Sequence, residues 1–345
     1  MVRGRVEREN ELKQIRWGMI GCGAVTRVKS APAYSLVPGF RLAAVASRRS
    51  DAAAEYAAAH GVEHAFASPE ELIRSPHVDA VYIATPPSSH LSLALEVAKA
   101  GKPCCVEKPI ATSHAQAVRM VQAFDAAVQP LFVAYYRRSL PRFGQVKRWL
   151  EDSLIGEVRH VHWTLMRTPT RADLAGDTGW RTDVREAPGG YFDDLACHGL
   201  DLFDWLVGPI AEAGGSRRNQ AGLYGAPDAV TGAWVHEGGA TGSGGWNFAA
   251  AARSDEVRII GARGEIGFSV FDEAPLVLKA GTDARTVEVP NPAPIQLHHV
   301  ENMARHLSEG TPHPSLGASA ARTARVMDAM LGIGRGPARN RCGDP

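Results

Sequence analysis

No stretch of the 345-residue chain carries the roughly 20 consecutive apolar residues of a membrane-spanning helix, so none is expected. The opening run, MVRGRVERENELKQIRW, is charged throughout and lacks the apolar centre of an export signal. An excess of one charge is missing too. Lys plus Arg number 38 against 37 Asp plus Glu, which removes the electrostatic reason to expect nucleic acid or an anionic membrane as partner. The five cysteines (22, 104, 105, 197 and 342) are odd in number and show no metal-ligand spacing. With no export signal, they predict a reduced, cytoplasmic protein. No internal repeat is visible. What remains is the composition of a soluble globular protein, 45% hydrophobic and 22% charged, with 35 Gly and 22 Pro. Its length exceeds what one hydrophobic core usually serves, so two domains are expected.

Residues 15–20, IRWGMI, read as a short buried strand running into Gly21-Cys22-Gly23-Ala24-Val25-Thr26. Gly21 suits a tight turn, Gly23 lets the backbone approach a pyrophosphate, and the helix N-terminus at Ala24 and Val25 favours anionic oxygens. Thr26 stands where the third glycine of a dinucleotide fingerprint would be, and such a turn alone is not specific. A second strand, RLAAVAS, ends in Ser47-Arg48-Arg49. An acidic residue at this strand end suits a free ribose 2′-hydroxyl; a serine and two arginines suit a 2′-phosphate, which favours NADP over NAD, although a solvated basic loop is the alternative. Asp51–His60 reads as a helix. A short helix at 68–75 is capped by Ser68, with Pro69 at its first position and Glu71 completing a capping box. The strand VDAVYIA closes in Thr85-Pro86-Pro87-Ser88-Ser89-His90. A helix then leads to the strand Cys104–Val106, which ends in Glu107-Lys108-Pro109. This rhythm predicts a doubly wound parallel sheet, with Thr85, Pro86, His90, Glu107 and Lys108 at strand carboxyl ends on the cofactor side.

The segment GGYFDDLACHGLD (189–201) places Asp194, His198 and Asp201 at i, i+4 and i+7, within a helical arc of roughly 60°. A carboxylate one turn from a histidine can orient the ring and raise its basicity, as removal of a proton from an alcohol requires. Taken alone, the same spacing also fits a capped helix with a buried structural histidine.

The turn GCGAVT, the loop VYIATPPSSH, GKPCCVEKP and GGYFDDLACHGLD resemble, in order and spacing, the Gfo/Idh/MocA oxidoreductases across about residues 15–335. The resemblance implies an N-terminal Rossmann domain (1–133), a C-terminal α/β domain with an open, mainly antiparallel sheet (134–335) and a tail (336–345). It further implies homodimers or homotetramers built through that sheet. By position, Lys108, Asp194 and His198 match the family's catalytic residues, with Asp201 as a supporting carboxylate. Tyr136 and Arg137 match the cofactor–substrate junction, and a cis Lys108–Pro109 bond is expected. Two positions depart from the family pattern and bear on pocket shape: Pro188 precedes only two glycines, and Ala196 stands where relatives often carry glycine.

In the second half, 128–136 reads as a last strand of the parallel sheet and 144–152 as a helix. Strands are expected at 156–165, 230–236, 244–249, 256–261, 264–271, 276–279 and 285–289, and helices at 294–308 and 318–332. The glycine-rich 237–245 reads as a mobile loop or bulged turn. Trp180 and Arg181 could wall a substrate, an aromatic face packing on sugar C–H groups, or could belong to a packed loop. His160, His162, His298 and His299 lack companion ligands, so no metal is expected. These features predict an NADP(H)-preferring dehydrogenase or reductase acting on a secondary alcohol of a sugar, cyclic polyol or dihydrodiol. A non-catalytic nicotinamide sensor and a redox-neutral, NAD-dependent glycosidase are the alternatives.

Overall fold

The computed structural model describes residues 14–23, 26, 30–177 and 179–333. The expected tail at 336–345, and Ala24 and Val25 of the glycine turn, lie outside the described residues. Six strands, β1 (Ile15–Ile20), β2 (Phe40–Ala46), β3 (His64–Phe66), β4 (Ala80–Ile83), β5 (Cys104–Val106) and β6 (Leu131–Val133), form a parallel sheet in the order β3-β2-β1-β4-β5-β6. The order reverses between β1 and β4, the switch point at which open α/β sheets bind ligands. Helices α1 (Ala31–Leu36) and α2 (Ser50–His60) pack on one face; α3 (Pro69–Arg74), α4 (His90–Lys99) and α5 (His114–Ala126) pack on the other. Both faces are therefore dry, which is why the strands are apolar runs rather than alternations. Ser68 accepts the Glu71 N–H and starts α3 with Pro69 at its first turn, as the sequence predicts.

The strand expected at 128–136 is cut to three residues. Val128, with φ 52°, closes a turn before it, and a 3₁₀ turn at Tyr136–Ser139 follows and feeds α6 (Pro141–Glu151). The remaining elements are β7 (Val158–Met166), α7 (Arg171–Leu174), α8 (Tyr191–Val207), β8 (Ile210–Arg218), β9 (Ala229–His236), β10 (Thr241–Asn247), β11 (Ser254–Gly261), β12 (Gly264–Phe268), β13 (Leu276–Ala280), β14 (Asp283–Val287), α9 (Leu297–Glu309) and α10 (Gly317–Leu331). Eight strands form the second sheet in the order β14-β13-β12-β11-β7-β10-β9-β8, antiparallel except where β10 runs parallel to β7. β8, IAEAGGSRR, has no apolar alternation and was not foreseen; it is one of the two edge strands, β14 being the other.

The glycine-rich stretch 237–245, expected to be a mobile loop or bulged turn, is a short turn and then β10, which starts three residues before the strand expected at 244–249. Its glycines leave room for indoles: a Cβ on Gly242 would sit 1.9 Å from Trp234, and one on Gly244 would sit 2.5 Å from Trp246. α8 lies on the inner face of this sheet, with Trp163, Phe192, Phe203 and Trp246 in one core. α10 packs against α5, α8 and β8, and α9 adds Val300 and Met303 to the core around Trp17 and Tyr34. The last two helices therefore tie the second domain back onto the first. Among the described residues no helix is long and apolar enough to cross a membrane.

Gly199 faces the Trp163 ring, where a Cβ would come within 2.4–2.8 Å of three ring carbons. Helix propensity alone would make Gly199→Ala stabilising by about 0.5–1 kcal/mol, whereas overpacking costs about 1–3 kcal/mol. The ring cannot yield inside this core, so Gly199→Ala lowers stability in urea unfolding. A gain in stability would contradict the packing described.

Candidate active site

A cleft of about 770 Å³ opens at the switch point of the parallel sheet. Gly21, Gly23, Ser47, Arg48, Arg49, Thr85 and Pro86 line it, so the glycine turn, the basic β2 end and the β4 loop converge as expected. Gly21 is in the left-handed region (φ 108°), and a Cβ there would meet the Ala84 carbonyl oxygen at 2.5 Å. A Cβ on Gly23 would meet nothing within 4 Å, which leaves the backbone open to a large anion. Arg48 and Arg49 are exposed at the cleft edge; Arg49 donates to Asp51 at 3.4 Å, and its N–H to Ser47 Oγ at 3.3 Å. The shape and the donors fit a dinucleotide, with the basic edge at the end of β2. Ser88 donates to Glu186, so the loop before α8 reaches across to the rim of this cleft.

Just after β5, the strand beside β4, Lys108 Nζ donates to Asp194 twice: to Oδ1 at 2.6 Å and to the backbone carbonyl at 2.7 Å. The Lys108–Pro109 bond is cis, as the resemblance implies. Arg181 Nε donates to Asp194 Oδ2 at 2.8 Å, and its guanidinium lies 4.4 Å over the Trp180 ring. Burial would raise the Asp194 carboxyl, but Lys108 and Arg181 overrule it and hold it down at about 2. For Lys108, burial acts downward and the Asp194 carboxylate acts upward with a net rise, so the ammonium persists at neutral pH. His198, one helical turn beyond Asp194 and buried, meets the rings of Tyr135, Tyr136 and Phe271 edge-on at centroid distances of 6.2, 5.6 and 5.9 Å. Asp194 was expected to orient His198. Its Oδ1 accepts from Lys108 and its Oδ2 from Arg181, and aromatic rings border the imidazole.

The other expected site residues have partners of their own. Asp201 is fully buried and away from the pocket: Arg138 donates to both its oxygens at 2.7 Å, and Thr323 adds a third bond. Arg138 and Arg322 also hold Asp204, at 3.3 and 2.7 Å, closing a buried cluster between α8 and α10. His90 is absent from the cleft wall. Its Nε2 faces the Thr85 carbonyl at 2.9 Å and its Nδ1 faces those of Pro109 and Ile110, so it pins the β4 loop to the chain after Lys108. Glu107 is buried and accepts from Tyr82, Gln296 and the Lys108 N–H. Arg137 lies between Tyr136 and Phe271. Phe271 was missed because 264–271 reads as one strand. In fact β12 ends at Phe268, and Asp255 accepts from Ser269 Oγ and the Phe271 N–H and bends the chain toward His198. Among the described residues no group of three or more His, Cys, Asp and Glu is placed to hold a metal ion. His160 is hydrogen-bonded to Thr241 and Ser243 on the sheet face.

A parallel sheet with a glycine-turn cleft at its switch point, joined at a Lys–Asp pair and a histidine to a domain built on an open sheet, defines a two-domain, nicotinamide-dependent oxidoreductase. Comparison with known proteins makes this specific. Residues 15–135 match the model of an oxidoreductase family with an NAD-binding Rossmann fold, and 143–267 match the GFO/IDH/MocA C-terminal domain. Oxidoreductase P35 of Formosa agariphila is 34% identical over 322 residues, 92% of this chain and 99% of that protein. A myo-inositol 2-dehydrogenase of Thermotoga maritima is 30% identical over 198 residues, 57% of this chain and 56% of that protein. A levoglucosan dehydrogenase solved with NADH and levoglucosan superposes with a TM-score of 0.83 at 24% identity, covering 93% of this chain and 97% of that one, and so shares its fold. The chain belongs to the Gfo/Idh/MocA oxidoreductase family and is a nicotinamide-dependent dehydrogenase or reductase.

Two outcomes follow from the buried charges. Removing one partner of a buried ion pair costs about 3–5 kcal/mol, so Asp201→Ala lowers urea stability by that order; a change below about 1 kcal/mol would contradict the cluster. Asp193 accepts the Gly189 N–H at 2.7 Å, and burial, with Asp328 and Asp194 adding, raises its carboxyl to about 7. Between the ordinary carboxylate range and pH 7 the folded state then holds a proton that the unfolded state has lost, so this group makes stability fall as pH rises. Asp193→Asn therefore gains melting temperature over the native chain at pH 8 and not at pH 4. An equal difference at both pH values would contradict the raised carboxyl.

Proposed function

We propose that this chain is an NADP(H)-preferring enzyme that interconverts a secondary alcohol and its ketone on a sugar, cyclic polyol or dihydrodiol. The observation that carries the reading is the Lys108 ammonium, just after the strand that pairs with β4, held on Asp194 one turn from His198. Relatives named for inositol and for levoglucosan, 30% and 28% identical, support the substrate class. The absence of a carboxylate at the β2 end, with Ser47, Arg48 and Arg49 on the cleft wall, supports the 2′-phosphate. Gly21 and Gly23 would admit the pyrophosphate, and Thr85 and Pro86 would border the cofactor on the β4 side.

Bound nicotinamide supplies a two-electron hydride acceptor or donor. The protein's own groups handle the proton and the oxygen. An ammonium has three N–H donors, and among the described residues Lys108 directs two of them to Asp194. The third is left for the substrate oxygen, where a fixed cation stabilises alkoxide character. His198 takes the hydroxyl proton in the oxidative direction and returns it in the reductive one. Asp194 keeps Lys108 charged and in place, and Arg181 holds Asp194 from the solvent side with Trp180 stacked on it. The open face of the second sheet, with His160 and His162, is the surface we assign to homo-oligomer contacts.

The test is reduced-nicotinamide absorbance with NADP+ and NAD+ in parallel across inositols, aldoses, sugar acids and a dihydrodiol. Growth of the signal is expected, larger with NADP+. No growth and no reverse reaction, with cofactor binding intact, would overturn the reading in favour of a sensor or a redox-neutral glycosidase. General acid–base catalysis contributes about 10²–10⁴-fold, so His198→Ala loses that order of kcat while NADPH fluorescence titration is unchanged; turnover within threefold of native would contradict the role. Hydrogen bonds to a charged group are worth about 1.5–3 kcal/mol, so the double variant Arg48→Ala, Arg49→Ala weakens NADPH binding by roughly 10–100-fold and leaves NADH nearly unaffected. Equal losses for both cofactors would count against the 2′-phosphate site.

A further inference from the structure

Two adjacent arginines are buried to the same degree and treated oppositely. Arg137 and Arg138 are each 5% exposed. Arg138 is fully compensated, donating to both oxygens of Asp201 and to Asp204. Among the described residues Arg137 makes one hydrogen bond, from Nε to the Val270 carbonyl at 2.9 Å. Among the described residues it has no carboxylate partner, and its Nη1 is buried with no acceptor.

The carboxylates in and behind the neighbouring 269–274 turn have partners of their own. Asp255 accepts from Trp163, Ser269 and the Phe271 N–H; Asp272 pairs with Arg253; Glu273 accepts the Asn291 N–H. Arg142, also buried, adds a second cation there and donates only to the carbonyls of Asp272 and Ala274. A buried cation is costly unless it is paired and hydrogen-bonded, and violations of that rule concentrate at functional sites. The place is specific: the Arg137 guanidinium lies 5.0 Å from the centre of the Tyr136 ring and 4.5 Å from that of Phe271, the two rings that border His198.

We propose that the substrate is a sugar acid and that Arg137 pairs with its carboxylate beside His198. This rests on the dehydrogenase reading above and adds the charge of the substrate. A planar guanidinium confined between two rings offers its edge to a planar, bidentate anion, which a carboxylate is and a hydroxyl is not. Phe271, brought there by the Asp255 turn, faces the apolar side of the same ligand.

The test compares matched pairs on the native enzyme with NADP+ and NAD+: glucuronate against glucose, galacturonate against galactose, and glucose 6-phosphate as a second kind of anion. Isothermal titration of the same compounds into the NADPH complex runs beside it, for native, Arg137→Met and Arg137→Lys. The acid of at least one pair is expected to have a kcat/KM at least tenfold above its neutral partner. Arg137→Met loses at least tenfold in acid binding, chiefly in KM, with little effect on the neutral sugar, and Arg137→Lys recovers part of the loss. Neutral and acid members used equally, a preference for the phosphate, or a Met variant that weakens both members alike would each overturn the proposal. The last result would show an arginine that only fastens the 270 turn. If no compound turns over, titration still decides whether acids bind through Arg137, and no acid binding overturns this inference; the dehydrogenase reading itself stands or falls on the wider panel and the reverse reaction given above.

Discussion

The site depends on one buried ion pair that crosses between domains. Lys108 comes from the end of a strand in the parallel sheet, Asp194 from the first turn of the long helix on the second sheet, and they meet at 2.6 Å with side chains 14% and 10% exposed. Neither charge is tolerable alone at such burial; together each fixes the protonation state of the other. The pair therefore acts as a clamp on domain geometry and as the source of a permanent cation where a substrate oxygen would sit. Arg181 reinforces it from the exposed side, so the carboxylate is held by two cations with different access to solvent.

Around this pair the protein uses polar groups as pins within an apolar frame. His90 joins the β4 loop to the chain after Lys108. Arg138, Asp201, Asp204 and Arg322 lock α8 to α10, and Asp255 sets the turn that carries Phe271. None of these needs to touch a ligand, yet each sets the position of a residue that does in the mechanism above. A mispositioning of about 1 Å can cost roughly 100-fold in rate, so this supporting layer matters as much as the charged pair itself.

Much of the fold was legible because its signals are local. Apolar runs ending in glycine or proline turns marked the parallel strands, and a serine cap marked α3. The resemblance named Lys108, Asp194 and His198 together, and the structure brings the first two into contact. What could not be read was direction. Asp201 shares a helical arc with Asp194 and His198, but whether a polar side chain on that arc faces the pocket or a buried arginine depends on where α10 returns, more than 100 residues later. His90 and Glu107 sit at strand ends that face the cofactor side, yet their side chains turn inward to carbonyls and to Tyr82. The first half of β10 read as a loop or bulged turn because its glycines serve indoles on neighbouring positions, a packing reason invisible along the chain. Phe271 was hidden by a strand that ends three residues early.

The most direct test of the central claim is the single-turnover rate of hydride transfer in Lys108→Met, measured at saturating cofactor with the NADPH dissociation constant determined on the same preparation. If Lys108 supplies the cation at the substrate oxygen, the rate falls by about 10²–10³-fold, the order seen when one fixed electrostatic donor is removed, and NADPH binding stays within about twofold. A rate within threefold of the native enzyme would contradict the account and place the chemistry elsewhere in the cleft.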